Sequence, residues 1–220
     1  MIRENLIAIK SALPSHVTLV AVSKTKPVSD LMEAYNAGQR VFGENKVQEM
    51  AEKYEQMPKD TEWHMIGHVQ SNKVKYMAPF VGLVHGVDSL RLLQEIDRQG
   101  QKNNRIIDCL LQMHIAKEDT KFGLNENELM ELITARVFAN LKYIRVCGLM
   151  GMATFTDDQE QVKKEFQFLK LVFDRLTTMP QTENFAPEIL SMGMSDDYPL
   201  AIDCGSTMVR IGSSIFGRRK

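Results

Sequence analysis

Short apolar runs alternate with amphipathic stretches from one end of this chain to the other. The runs lie at residues 17–22, 40–42, 62–66, 83–87, 106–113, 143–149, 188–191 and 208–211. They are brief and rich in Val, Ile and Leu, which reads as eight buried strands. A helix over residues 5–13, stopped by Pro14, precedes the first of them. Ser29 is placed to cap a helix that Gly38 ends, and Ser89 one that Gly100 ends. Ser71 is placed to cap a short helix through Met77. Thr156 and Gln159 have capping-box spacing ahead of Val162, Phe166, Leu169, Phe173 and Leu176, which share one helix face.

Strands alternating with helices imply parallel pairing and an α/β fold. Eight such units, after an extra N-terminal helix, favour a closed (β/α)8 TIM-type barrel over an open sheet. An open doubly wound sheet would carry G-x-G-x-x-G after its first strand. Here that strand runs into Ser23-Lys24-Thr25-Lys26-Pro27, and no P-loop occurs. No Pro-, Ser- or Gly-rich linker divides the chain, so residues 1–220 read as a single domain.

Composition narrows the function classes. Lys and Arg number 27 against 28 Asp and Glu, a balance that argues against a nucleic-acid-coating surface. The basic tail Arg218-Arg219-Lys220 is too short to change this. No apolar stretch approaches the roughly 20 residues of a membrane span, and the N-terminus has no continuous apolar segment of a signal peptide. Cys109, Cys147 and Cys204 are scattered beside apolar runs, which suggests buried reduced thiols and a cytoplasmic protein.

In a (β/α)8 barrel the site is built where the strands end. Lys24 follows the first strand; partial desolvation at a barrel mouth favours its neutral amine, and a nearby cationic Lys26 would lower its pKa further. By position alone, a strand-end lysine reaching to water is the better reading. The ends of strands seven and eight shift the balance. Ser191-Met192-Gly193-Met194-Ser195 and Arg210-Ile211-Gly212-Ser213-Ser214 supply hydroxyls, free N–H groups and a guanidinium where barrels bind phosphate. A Schiff-base lysine opposite a phosphate site means a sugar-phosphate aldolase or a pyridoxal 5′-phosphate (PLP) protein.

Other residues read more plainly. His64 and His68 are not spaced to share a metal on a strand and turn, so no metal site is expected. Asp196 and Asp197 suit a helix start. Met150, Met152, Met192, Met194 and Met208 read as core filling. Trp63 should face the helices, opposite to His64.

Several motifs in fixed order carry a resemblance. They are Val22-Ser23-Lys24-Thr25-Lys26-Pro27, Phe42-Gly43-Glu44-Asn45 with Gln48-Glu49, and Trp63-His64-Met65-Ile66-Gly67 with Gln70-Ser71-Asn72-Lys73. Lys121-Phe122-Gly123, Gly148-Leu149-Met150-Gly151-Met152, the segment 190–197 and the segment 205–212 follow. From about Val17 to Gly217 the chain closely resembles the pyridoxal phosphate homeostasis protein family. The resemblance implies the barrel of the alanine racemase N-terminal domain (PLP fold type III without the C-terminal β-domain), with PLP held as a Schiff base on Lys24. It further implies Ser191, Ser195, Arg210, Gly212 and Ser213 around the phosphate, Asn45, His64 and Met150 near the ring, and Lys26 and Lys121 as secondary PLP contacts. His68 departs from a common proline, and the N-terminal helix region is short. The family is regarded as one of PLP carriers in vitamin B6 homeostasis without established catalysis, with PLP-dependent apo-enzymes as recipients. The alternative is an amino-acid racemase or decarboxylase. Racemisation needs a second base, which in racemases the resemblance assigns to a tyrosine of an added β-domain. With the eighth strand so near the end of the sequence, a non-catalytic monomer is expected.

Overall fold

In a computed structural model, residues 1–118 and 122–217 are described. Eight strands hydrogen-bond in sequence order into one closed, wholly parallel barrel: β1 (Thr18–Val22), β2 (Val41–Glu44), β3 (Glu62–Met65), β4 (Leu83–Val87), β5 (Ile107–Met113), β6 (Ile144–Gly151), β7 (Phe185–Ser191) and β8 (Met208–Ile211). Pairing of β8 with β1, from Thr18 opposite Met208 to Ala21 opposite Ile211, closes it. The helices are α1 (Ile2–Ala12), α2 (Val28–Asn36), α3 (Val47–Gln56), α4 (Val74–Met77), α5 (Leu90–Lys102), α6 (Glu126–Thr134), α7 (Arg136–Ala139), α8 (Gln159–Thr177), α9 (Tyr198–Asp203) and α10 (Ser213–Phe216). Among the described residues no helix is long and apolar enough to cross a membrane.

Two cores follow from the period-two alternation of strands. The larger lies between sheet and helices and holds Phe42 and Trp63, 6.0 Å apart, so Trp63 faces the helices as expected. The smaller fills the barrel with Val20, Leu83, Leu110, Cys147, Met150 and Met208. On α8 the stripe Val162, Phe166, Leu169, Phe173 and Leu176 is buried. Truncating Phe166 to Ala there would cost about 3–5 kcal/mol.

Several expected boundaries shift. Helix α2 starts at Val28 with Pro27 at its N-cap, so Ser29 lies inside it; Gly38, at φ +90°, lies just past its end. Ser89 does cap α5, accepting from Leu92, but the helix continues past Gly100. Gly100 is there for close approach: a Cβ would stand 2.7 Å from the Tyr143 carbonyl oxygen. Ser71 opens a 3-10 turn, with Gln70 at the N-cap, rather than capping. Asp158, not Thr156, caps α8 through Gln161, and Thr156 instead accepts from Asp158. A full capping box does occur, between Asn125 and Glu128 of α6. Cys109 and Cys147 are buried, whereas Cys204 is only half-buried at the end of α9.

Candidate functional site

A cavity of about 460 Å³ opens where the strands end. Its lining brings together Lys24, Lys26, Asn45, Ser195, Arg210, Gly212 and Ser213, with Ile66, Gln112 and Met152 among the walls. Residues separated by nearly the whole chain thus converge because β8 pairs with β1. Lys121 lies outside the described residues.

Lys24 is positioned by its neighbours' backbone. Strand β1 ends at Val22. The next residue, Ser23, is fully buried, and its hydroxyl donates to Glu44 Oε1 at 2.6 Å. Lys53, reaching in from α3, donates to the Ser23 carbonyl at 2.8 Å and to Glu44 and Glu49 at 2.7 Å each. On the other side of Lys24, the Thr25 N–H donates to Glu49 at 2.6 Å. Thr25 sits at φ +65°, a left-handed conformation that a β-branched residue adopts only under constraint. The two glutamates respond differently to the shared lysine. Desolvation holds the Glu44 carboxyl above its ordinary range despite Lys53 and Ser23. Glu49 is less buried, and hydrogen bonds from Lys53 and Thr25 outweigh its desolvation and hold it low.

Lys26 does not run parallel to Lys24 along a strand, because the chain turns at Thr25. Its ammonium donates to the Phe216 carbonyl at 2.9 Å, tying the Lys24 loop to α10.

Ser195 and Ser213 stand on facing loops. Ser195 accepts from the Gly212 N–H at 3.3 Å, and Ser213 opens α10, whose first N–H groups have no partner within the helix. Gly193 lets the strand-seven loop fold back at φ +99°, where a Cβ would stand 2.7 Å from that of Ala201. Asp197 precedes α9 but turns its carboxylate to the Met194 N–H at 2.6 Å, closing the same loop.

Arg210 forms the floor and is 3 % exposed. It donates to the Ser191 hydroxyl at 2.6 Å and to the Gly151 carbonyl at 3.1 Å, both neutral acceptors. Burial pulls its guanidinium down to about 10, with Asp197 acting the other way, so it remains a cation at neutral pH. Ser191, His64 and Met150 do not line the cavity. They lie beneath it, buried inside the barrel, with Met150 in the inner apolar core. Sequence reasoning did not single out His85, fully buried in the inner barrel, nor the Glu44–Glu49–Lys53 cluster. The i,i+4 spacing of Glu49 and Lys53 and a carboxylate closing an apolar strand were the available signals. Among the described residues no three His, Cys, Asp or Glu side chains gather to hold a metal ion.

The whole chain, residues 1–220, matches the family described as alanine racemase, N-terminal domain. The pyridoxal phosphate homeostasis protein of Aquifex aeolicus is 40 % identical over 203 residues, covering 92 % of this chain and 87 % of that protein. This chain belongs to the pyridoxal phosphate homeostasis protein family. The family member from Schizosaccharomyces pombe is likewise 40 % identical, over 213 residues that cover 96 % of this chain and 87 % of that one. Among solved structures, PipY of Synechococcus elongatus without PLP superimposes with a TM-score of 0.91 at 34 % identity, covering 99 % of this chain and all of PipY. PipY with PLP bound gives 0.88 over the same coverage. An alanine racemase of Clostridium difficile, at 15 % identity and a TM-score of 0.77, shares the fold over 99 % of this chain and 56 % of its own.

Proposed function

We propose that this protein binds PLP in the cavity at the barrel mouth, joined covalently to Lys24, and serves in PLP homeostasis by holding the cofactor rather than by turning over a substrate. One observation carries the reading: Lys24 lines the same cavity as Ser195, Gly212 and Ser213, a wall of hydroxyls and backbone suited to an anion. The residues fit the cofactor's chemistry. Ser195, Gly212 and Ser213 would take the phosphate, while Arg210, hydrogen-bonded to the Ser191 hydroxyl and the Gly151 carbonyl, places a buried cation beneath it. Asn45 would border the ring, with His64, Met150 and Ser191 supporting from below. When bound, PLP supplies an electron sink for amino-acid carbanions.

Holding the cofactor needs only what the lining contains. Racemisation needs a base on each face of the substrate carbon. The lining carries no tyrosine among the described residues, and Tyr198 packs at the start of α9 against the outer core. PLP-dependent apo-enzymes are the recipients this role implies. A monomer in the cytoplasm is the form this reading assigns, in keeping with thiols that form no disulfide.

Titration with PLP, followed by visible absorbance, tests the reading. The wild type should develop a saturable band that Lys24→Ala lacks; a wild type that takes up no PLP overturns it. Purified protein assayed for racemisation and decarboxylation over a panel of amino acids should show no turnover. Robust turnover would replace the carrier with an enzyme.

A further inference from the structure

A file of hydrogen bonds crosses the inside of the barrel from the pocket floor to the opposite rim. Arg210 donates to the Ser191 hydroxyl at 2.6 Å. Ser191 Oγ lies 3.0 Å from His85 Nδ1, and His85 Nε2 lies 3.0 Å from His64 Nδ1. His64 Nε2 lies 2.9 Å from Glu62 Oε1, a carboxylate half open to solvent. Strand alternation places these five side chains inside: Glu62 and His64 on β3, His85 with inward Leu83 on β4, Ser191 with Ile189 on β7, and Arg210 with Met208 on β8.

The ends of the file set its direction. A carboxylate can only accept, so His64 carries its proton on Nε2 and, when neutral, accepts at Nδ1. His85 must then donate from Nε2 and accept at Nδ1. The Ser191 hydrogen is thereby committed to His85, which leaves its lone pairs to the guanidinium. Burial, with His64 and Arg210 nearby, holds the His85 pKa well below the ordinary range and keeps that ring neutral. The His64 hydrogen bond holds Glu62 below its ordinary range. With His64 neutral, each group thus donates to the next in turn, from a cation at the cavity to a carboxylate at the far rim.

We propose that Glu62, His64 and His85 are positioning residues that fix the Ser191 hydroxyl and, through it, the orientation of Arg210 toward the ligand in the cavity. The role toward PLP rests on the functional reading above; the direction of the file does not. A packing role alone would be indifferent to which imidazole nitrogen holds the proton.

Two measurements test this. Nitrogen-15 NMR of histidine-labelled protein, recorded without PLP at a pH where both rings are neutral, should show His64 and His85 protonated on Nε2. Protonation of either ring on Nδ1 overturns the file. Glu62→Ala removes a rim residue with little packing; it should release the tautomer preference of His64 and weaken PLP binding roughly tenfold. Glu62→Gln, which can still accept through its amide oxygen, should recover most of that loss. Tautomers and affinity unchanged in Glu62→Ala overturn the positioning role even though PLP binds. A wild type that ignores PLP while its tautomers are as stated overturns the functional reading and the role toward the cofactor, and leaves the direction of the file standing.

Discussion

Lys53 donates to the carbonyl oxygen of Ser23 at 2.8 Å, one residue before the lysine at the cavity. The same ammonium also neutralises Glu44, which is fully buried, and Glu49, which holds Thr25. Lys53→Met should therefore leave a buried carboxylate unpaired and release both flanks of Lys24. A loss of about 3–5 kcal/mol in urea unfolding is expected, together with weaker PLP uptake. Adding Glu44→Gln should restore part of the stability by removing the buried charge. An unchanged unfolding midpoint in Lys53→Met would show that the cluster does not brace the loop.

His85 sets an acid limit on stability. Burial, with His64 on β3 and Arg210 on β8 facing it, keeps its folded pKa well below 6.5. Below about pH 6.5 the unfolded chain takes up a proton here and the folded chain does not. Stability contributed by this site is thus complete above that pH and declines as pH falls toward the depressed folded value, with a limiting slope of about 1.4 kcal/mol per pH unit. Carboxylates held low, such as Glu62, act only below their ordinary range near 4.5. Glu44, held high, acts above it with the opposite sign, so the difference from His85→Gln isolates the histidine. Chemical denaturation between pH 5 and 7 should show the slope in the wild type. A much flatter profile is expected in His85→Gln, and equal slopes would contradict this origin.

Arg210→Ala and Ser213→Ala separate the floor of the cavity from its wall. Charge-assisted hydrogen bonds are worth about 1.5–3 kcal/mol. Loss of the guanidinium should thus weaken PLP retention by about tenfold to a hundredfold, and loss of the Ser213 hydroxyl by less. Equilibrium dialysis measures both, with circular dichroism confirming that each variant is folded. Unchanged affinity in both would mean that the phosphate lies elsewhere.

Lys26→Met distinguishes a ligand contact from a brace. Its ammonium is engaged by the Phe216 carbonyl at 2.9 Å. The variant should lose about 1 kcal/mol of stability and keep the absorbance band of bound PLP, unlike Lys24→Ala. Loss of that band in a folded Lys26→Met protein would mean that Lys26 contacts PLP directly.

The strands were legible because a parallel barrel buries both faces of its sheet, and each strand then reads as an unbroken apolar run. Lys24, Ser195, Gly212 and Ser213 were legible for a related reason, since polar residues at strand ends have one place to go in such a barrel. Depth was not. Whether His64, Ser191 and Met150 line the cavity or lie below it depends on strand stagger, which one strand's sequence does not contain. Helix α3 went unplaced because its one apolar face, Val47 and Met50, is short and its remaining residues are mostly charged or amide side chains. His85 escaped notice because a single histidine in the run 83–87 acquires a role only when β3 and β7 bring His64 and Ser191 to its two nitrogens.

Covalent trapping on Lys24 tests the proposed function most directly. The wild-type protein is loaded with PLP, reduced with borohydride and digested, and the peptides are mapped by mass. The pyridoxyl group should appear at one molar equivalent on the peptide containing Lys24, and should be missing from that peptide in Lys24→Ala. A reduced protein that carries no pyridoxyl group, or carries it on another lysine while Lys24 stays unmodified, would contradict the assignment of this cavity.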